Sequence, residues 1–228
     1  MIDFFIQIAG VHDRVEAEML VDCGVTHIGL PLGPGVREQD LNQNAAREIL
    51  CTLPRSVCGV LITYLATARE ISGFAGDVGA GWVQVHGEIT LGEISLLRRK
   101  RPELKIIKSL IVGKRDGSTI FDECRNFAPY CDYFLADTFD ADTGACGATG
   151  KVHDWEISRD LARFSARPVI LAGGLNADNV YRAVSKVEPA GVDAHTGLEN
   201  SRGRKDPELV HGFVREALRA REDSGQYF

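Results

Sequence analysis

Eight short apolar runs, each followed by a stretch with helical spacing, constrain the fold of this chain more than any other feature. The runs occupy residues 4–8, 27–30, 57–62, 82–85, 105–110, 133–136, 168–172 and 191–194. Apolar residues at intervals of three and four predict helices over 13–24, 43–52, 67–78, 91–100, 118–128, 154–164, 177–187 and 206–221. Strands that alternate with helices pair in parallel, because each crossover must carry the chain back along the sheet. Spread over the chain, the eight units take roughly 28 residues each, close to the size of a minimal strand–helix unit. Eight such units close into an α/β barrel, the (β/α)8 or TIM architecture, with a doubly wound open sheet as the alternative. No linker, low-complexity tract or charge block divides the chain, so residues 1–228 are expected to form one domain.

Composition narrows the function classes. Twenty-six Lys and Arg against 32 Asp and Glu give a net charge of −6, which argues against a nucleic-acid surface. Twenty-four glycines with only 7% aromatics suit many short strands and tight turns. No apolar run approaches the ~18 residues of a membrane span. Met1-Ile2-Asp3-Phe4-Phe5 has no basic segment ahead of an apolar core, so no signal peptide is expected. The six cysteines (Cys23, Cys51, Cys58, Cys124, Cys131, Cys146) form no Cys-x-x-Cys pair. They read as reduced thiols of a cytoplasmic protein rather than as a zinc site or disulfide framework.

In such a barrel the working residues lie on the loops that follow the strands. After the seventh run the chain reads Gly173-Gly174-Leu175-Asn176, and after the eighth Asp193-Ala194-His195-Thr196-Gly197-Leu198-Glu199, with room for a short extra helix before Lys205. Glycines there can simply make turns, and Asn176 can cap a helix. Two glycine-bearing loops in this order also form the habitual phosphate site of the fold, which brings Gly173, Gly174, Thr196 and Gly197 forward. Asp137 ends the sixth run, placed to act as general acid or base, or else to cap the following segment. The glycine-rich stretch over 140–150 has the length of a lid. His86, after the fourth run in Gln84-Val85-His86-Gly87-Glu88, is either a packed histidine or a group at the mouth of the barrel.

Taken together, Gln84-Val85-His86-Gly87-Glu88, Ala136-Asp137-Thr138, Gly150-Lys151-Val152-His153-Asp154-Trp155, Leu171-Ala172-Gly173-Gly174-Leu175 through Asn179-Val180, and Val192-Asp193 through Gly197-Leu198-Glu199 resemble phosphoribosylanthranilate isomerase. That family is a (β/α)8 enzyme of tryptophan biosynthesis. The segments keep the family's order and spacing from Ile8 to Phe213, and Lys205-Asp206 fits the start of its last helix. The resemblance implies an Amadori-type aldose–ketose isomerisation of a phosphoribosyl amine, with Asp137 as the general acid. It implies phosphate binding at Gly173, Gly174, Thr196 and Gly197, and substrate contacts from Gln84 and His86. Arg37, in the loop after the second run, matches with a one-residue shift the arginine that holds the anthranilate carboxylate. A phosphorylated sugar is the implied partner, with no metal or other cofactor, no nucleic acid and no membrane, in a monomer or homodimer.

The first strand departs from the family. Where the family reads Lys-Ile-Cys-Gly, with the cysteine as general base, this chain reads Gln7-Ile8-Ala9-Gly10. A methyl group cannot accept a proton, and losing a positioned base costs about 10²–10⁴ in rate. His195, where the family has serine, is the candidate substitute, because the last strand of a closed barrel neighbours the first. A phosphate contact or loop packing is its other reading. His12, Asp13 and Cys146 are further candidates. Two alternatives to the family reaction stand beside it: a different phosphorylated sugar substrate, or phosphosugar binding without turnover.

Overall fold

Hydrogen bonds run from each strand to the next and return from the last to the first, so the sheet has no open edge among its main strands. The computed structural model describes residues 4–36, 41–113, 117–140, 145–146 and 155–225, of which 117–118, 139–140 and 145–146 by backbone alone. The strands are β1 (Phe5–Ala9), β2 (His27–Pro31), β3 (Cys58–Thr63), β4 (Trp82–Val85), β5 (Lys105–Val112), β6 (Tyr133–Asp140), β7 (Val169–Leu171) and β8 (Gly191–Ala194). All pair in parallel, and β8 closes on β1 with Phe5 opposite Gly191 and Ile8 opposite Ala194. This is the expected (β/α)8 barrel.

The crossover helices are α1 (Arg14–Asp22), α2 (Gln43–Thr52), α3 (Ala68–Val78), α4 (Leu91–Lys100), α5 (Gly117–Phe127), α6 (Trp155–Phe164), α7 (Val180–Val187) and α8 (Pro207–Asp223). Their starts are written locally. Asp13, Asn42, Thr67, Thr90 and Asp206 each accept a first-turn backbone N–H, which satisfies donors that the helix itself cannot. Pro207, with no N–H to lose, follows the last of these caps.

Two elements differ from the sequence expectation. Strand β6 runs four residues beyond 136: Asp137 and Thr138 pair with Ile111 and Val112 of β5, and Phe139 and Asp140 with Cys146 and Ala145, which turn back antiparallel. Its extra backbone donors therefore find partners above the rim of the barrel. Helix α7 begins at Val180 rather than 177. Asn176 instead caps the turn leading into it, accepting from Asp178 N at 3.0 Å and Asn179 N at 3.1 Å.

Side chains alternate across the strands. One set fills the space between strands and helices; the other fills the barrel with Phe5, Val60, Ile107, Leu135, Ile170 and Ala172. At the N-terminal end Phe5, His27, Trp82 and Tyr133 form an aromatic plug. Polar groups gather at the other end. Among the described residues no helix is long and apolar enough to cross a membrane. Cys23, Cys51, Cys58, Cys124 and Cys131 are free thiols, and burial pushes Cys131 up to about 12.

Candidate active site

The inward side chains one layer below the C-terminal mouth form a polar chain across the barrel. Gln7, fully buried on β1, donates from Nε2 to Gln84 Oε1 at 2.8 Å and to Asp193 Oδ1 at 2.9 Å. Gln84 donates in turn to Ser109 Oγ at 3.2 Å, and His86 Nδ1 lies 3.1 Å from the same hydroxyl. One amide thus ties β8 to β4, and a serine carries the connection to His86. Gln84 is held inside this chain, 3% exposed, and lines neither of the two cavities at the mouth.

Above it, Asp137, Asp193, Ala194, His195, Thr196, Gly197, Gly173 and Gly174 line a cavity of about 30 Å³ with Leu175. Three sequence expectations, the acid on β6 and the two glycine loops after β7 and β8, converge there. Thr196 and Gly197 sit on the short 3-10 helix Thr196–Leu198, the extra turn for which the sequence left room. Gly173 has φ +90°, and a Cβ there would run into the Thr138 hydroxyl, so glycine alone lets the loop lie against the end of β6.

Both carboxyls of this cavity are desolvated. Burial raises the pKa of Asp137, opposed by the nearby His86 and by the Thr138 N–H that Asp137 Oδ1 accepts at 2.7 Å. Burial pushes Asp193 up to about 8; the Gln7 hydrogen bond pulls against it, and the Asp137 charge adds to it. Gln7 brings a donor to Asp193 but no positive charge. Sequence reasoning did not single out Asp193 as a titrating group. The available signal was parity, since a residue two after Gly191 on β8 faces inward when Gly191 does.

His195 follows directly on the register that pairs Ile8 with Ala194, which puts it beside Ala9 at the end of β1. Its imidazole lies over Gly10, where φ is +75° and a Cβ would collide with the ring. Nε2 stands 3.5 Å from Glu199 Oε1. Two other candidate bases are committed to the start of α1. His12 Nδ1 lies 3.0 Å from Glu16 Oε2, and Asp13 caps the helix while accepting an ion pair from Arg204 at 2.7 Å. Arg37 and the Cys146 side chain lie outside the described residues.

Across the mouth, a larger cavity of about 560 Å³ opens between the ends of β4 and β5 and helix α5. Tyr64, Ile89, Ile111, Ile120 and Phe127 give it apolar walls, and His86, Ser109 and Lys108 face it as well. Tyr64 packs on His86 at 4.9 Å between ring centroids, and Gly35 of the loop after β2 lies against Tyr64. Strand β6, bearing Asp137, stands between this cavity and the smaller one at β7 and β8. Among the described residues no cluster of three or more His, Cys, Asp or Glu is placed to hold a metal ion.

The N-(5'-phosphoribosyl)anthranilate (PRA) isomerase family model matches residues 10–216. N-(5'-phosphoribosyl)anthranilate isomerase 2 of Methanosarcina mazei is 38% identical over 213 residues, covering 93% of this chain and 93% of that protein. The structure of N-(5'-phosphoribosyl)anthranilate isomerase from Pyrococcus furiosus superposes with a TM-score of 0.78 at 26% identity, covering 95% of this chain and 99% of that one. A phosphoribosyl anthranilate isomerase crystallised with reduced 1-(o-carboxyphenylamino)-1-deoxyribulose 5-phosphate matches with a TM-score of 0.75 at 25% identity, over 93% of this chain and 97% of that one.

Proposed function

Because the chain belongs to the N-(5'-phosphoribosyl)anthranilate isomerase family, we propose that it isomerises phosphoribosylanthranilate, with Asp137 as general acid and His195 as general base. The observation that carries this reading is the convergence of Asp137, His195 and both glycine loops on one cavity at the end of the barrel where this fold does its chemistry. The phosphate is taken by backbone N–H groups at Gly173, Gly174, Thr196 and Gly197. The aromatic ring enters the larger cavity beside Tyr64 and His86, and Arg37 receives the ring carboxylate. The sugar then crosses β6, which brings its ring oxygen to Asp137. Gln84 supports His86 from below through Ser109.

Chemistry follows from that placement. Burial favours the protonated form of Asp137, the form that gives a proton to the ring oxygen as the amine lone pair opens the ring to an iminium. His195 takes the proton at C2′. The electron pair released forms the C1′=C2′ bond and returns the C=N electrons to nitrogen, giving an enolamine that becomes the ketose. C2′ is oxidised and C1′ reduced within the one substrate, so no external electron carrier enters the balance. A cytoplasmic location belongs to the same reading, supported by the free thiols.

Loss of phosphoribosylanthranilate fluorescence on adding the purified protein tests the proposal. Asp137→Asn is expected to lower kcat by about 10²–10⁴ while leaving the fold intact. Binding of substrate without turnover by the unaltered protein overturns the isomerase reading.

A further inference from the structure

The charges around His195 form a chain that ends in a buried cation. Lys205, whose side chain is fully buried, donates from Nζ to Glu199 Oε1 at 2.6 Å and to the His195 backbone carbonyl at 3.1 Å. Burial lowers the Lys205 pKa and Glu199 opposes that effect. The position of Lys205 is fixed in turn, because its backbone N–H donates to the buried Glu16 at 2.7 Å and Glu199 pairs with Lys205 in an isolated β-bridge. The carboxylate that faces His195 Nε2 is thereby held from both backbone and side chain. Described groups near the imidazole include Glu199 and Lys205 from the following segment, Asp137 and Asp193 across the cavity, and the Gly10 backbone just after β1.

We propose that Glu199, clamped by Lys205, is a positioning residue for His195: it orients the imidazole and favours the Nε2–H tautomer. The inference rests on the reading of His195 as the base and adds to it the group that orients and tunes that base. A carboxylate behind an imidazole stabilises the cation that forms when the ring takes a proton, and it fixes which nitrogen carries the lone pair. At 3.5 Å the pair is looser than a hydrogen bond, as such contacts often are before substrate is bound. Any side chain at position 10 would block the ring from this place, so the glycine and the carboxylate act together on one rotamer.

The test uses the full chain and nitrogen-15 NMR of its imidazoles, with His195 assigned by loss of its signals in His195→Ala. In the unaltered protein the Nε2–H tautomer is expected; an Nδ1–H tautomer overturns the proposal without any further variant. Glu199→Gln is expected to shift the His195 titration down by about one unit. The acidic limb of the kcat/KM profile should move with it, and kcat should fall roughly 10–100-fold with KM little changed. Because that variant leaves Lys205 buried without its carboxylate, Glu199→Gln combined with Lys205→Met is the second arm, and a smaller downward shift is expected because the cation leaves with its carboxylate. Turnover surviving His195→Ala sinks the base reading itself. Turnover lost in His195→Ala, with titration and pH profile unmoved in the Glu199 variants, leaves the base in place and overturns the role of Glu199.

Discussion

Ionisable side chains are buried at both ends of the barrel, in two very different settings. At the N-terminal end His27 stacks on Phe5 at 3.6 Å and meets Trp82 edge-on at 5.0 Å. Its Nδ1 lies 2.8 Å from Thr26 Oγ1, whereas Nε2 is buried with no hydrogen-bond partner among the described residues. Burial alone brings its pKa down to about 4. At the C-terminal mouth, burial also dominates Asp137 and Asp193, yet these groups line a cavity, accept hydrogen bonds and stand among glycine loops. Desolvation is common to both ends, so a displaced pKa by itself marks burial. Access and convergence are what separate a site from a plug.

The contrast has a consequence for stability, because the two ends should respond to pH with opposite slopes. Asp193 titrates near 3.8 when unfolded and about 8 when folded, so the folded state binds the extra proton between those values. Its presence therefore makes the protein less stable as pH rises through that window, until the folded form also ionises. Asp193→Asn keeps an oxygen for the Gln7 amide and removes the titration. The variant is expected to gain stability over the unaltered protein, by several kcal/mol at pH 8 and far less at pH 4, read from urea midpoints. An equal difference at both pH values would mean that Asp193 is ionised in the folded barrel, and the mouth would then lose its slope.

A smaller effect of opposite sign is expected at the plug. Above pH 6.5 His27 is neutral in both states and contributes no pH dependence. As pH falls from there to about 4, the unfolded chain takes up a proton that the folded one refuses, and stability drops. That interval corresponds to about 3 kcal/mol by pH 4. His27→Phe should erase that loss, measured as a flatter dependence of Tm on pH between 4 and 6.5. If the slope survives, His27 is reached by water and the two ends are more alike than their packing indicates.

These differences set the boundary of what the sequence could disclose. The eight-unit alternation was legible because strand and helix periods are local, and Asp137 was legible because it ends an apolar run. The glycine loops followed from their order after the seventh and eighth runs. Asp193 as a titrating group was not legible from its own segment, since barrel closure buries it and the Gln7 that opposes that effect lies 186 residues away. The Gln7–Gln84–Ser109 chain likewise exists only once register is known. His27 read as an ordinary strand residue, because nothing nearby announces that Phe5, Trp82 and Tyr133 will surround it. The extension of β6 was missed because Thr138-Phe139-Asp140 carry no apolar run, and the last two owe their pairing to 145–146.

Thr26 offers the smallest and most discriminating change. Its hydroxyl accepts from Ile6 N at 2.9 Å, donates to Ile6 O at 3.1 Å and meets His27 Nδ1 at 2.8 Å. With its one proton turned to Ile6 O, the hydroxyl can only accept from His27, which places the imidazole proton on Nδ1 and leaves Nε2 bare among the rings. Thr26→Val keeps the shape and removes these bonds, at an expected cost of about 1–2 kcal/mol. If burial in the aromatic plug sets the His27 pKa, that cost is the same at pH 4.5 and pH 7.5, and the slope between 4 and 6.5 persists. A variant that instead loses the slope would assign the low pKa to the Thr26 contact. The plug would then hold its histidine by a specific partner, as the mouth holds its carboxyls, and the contrast between the two ends would narrow to access alone.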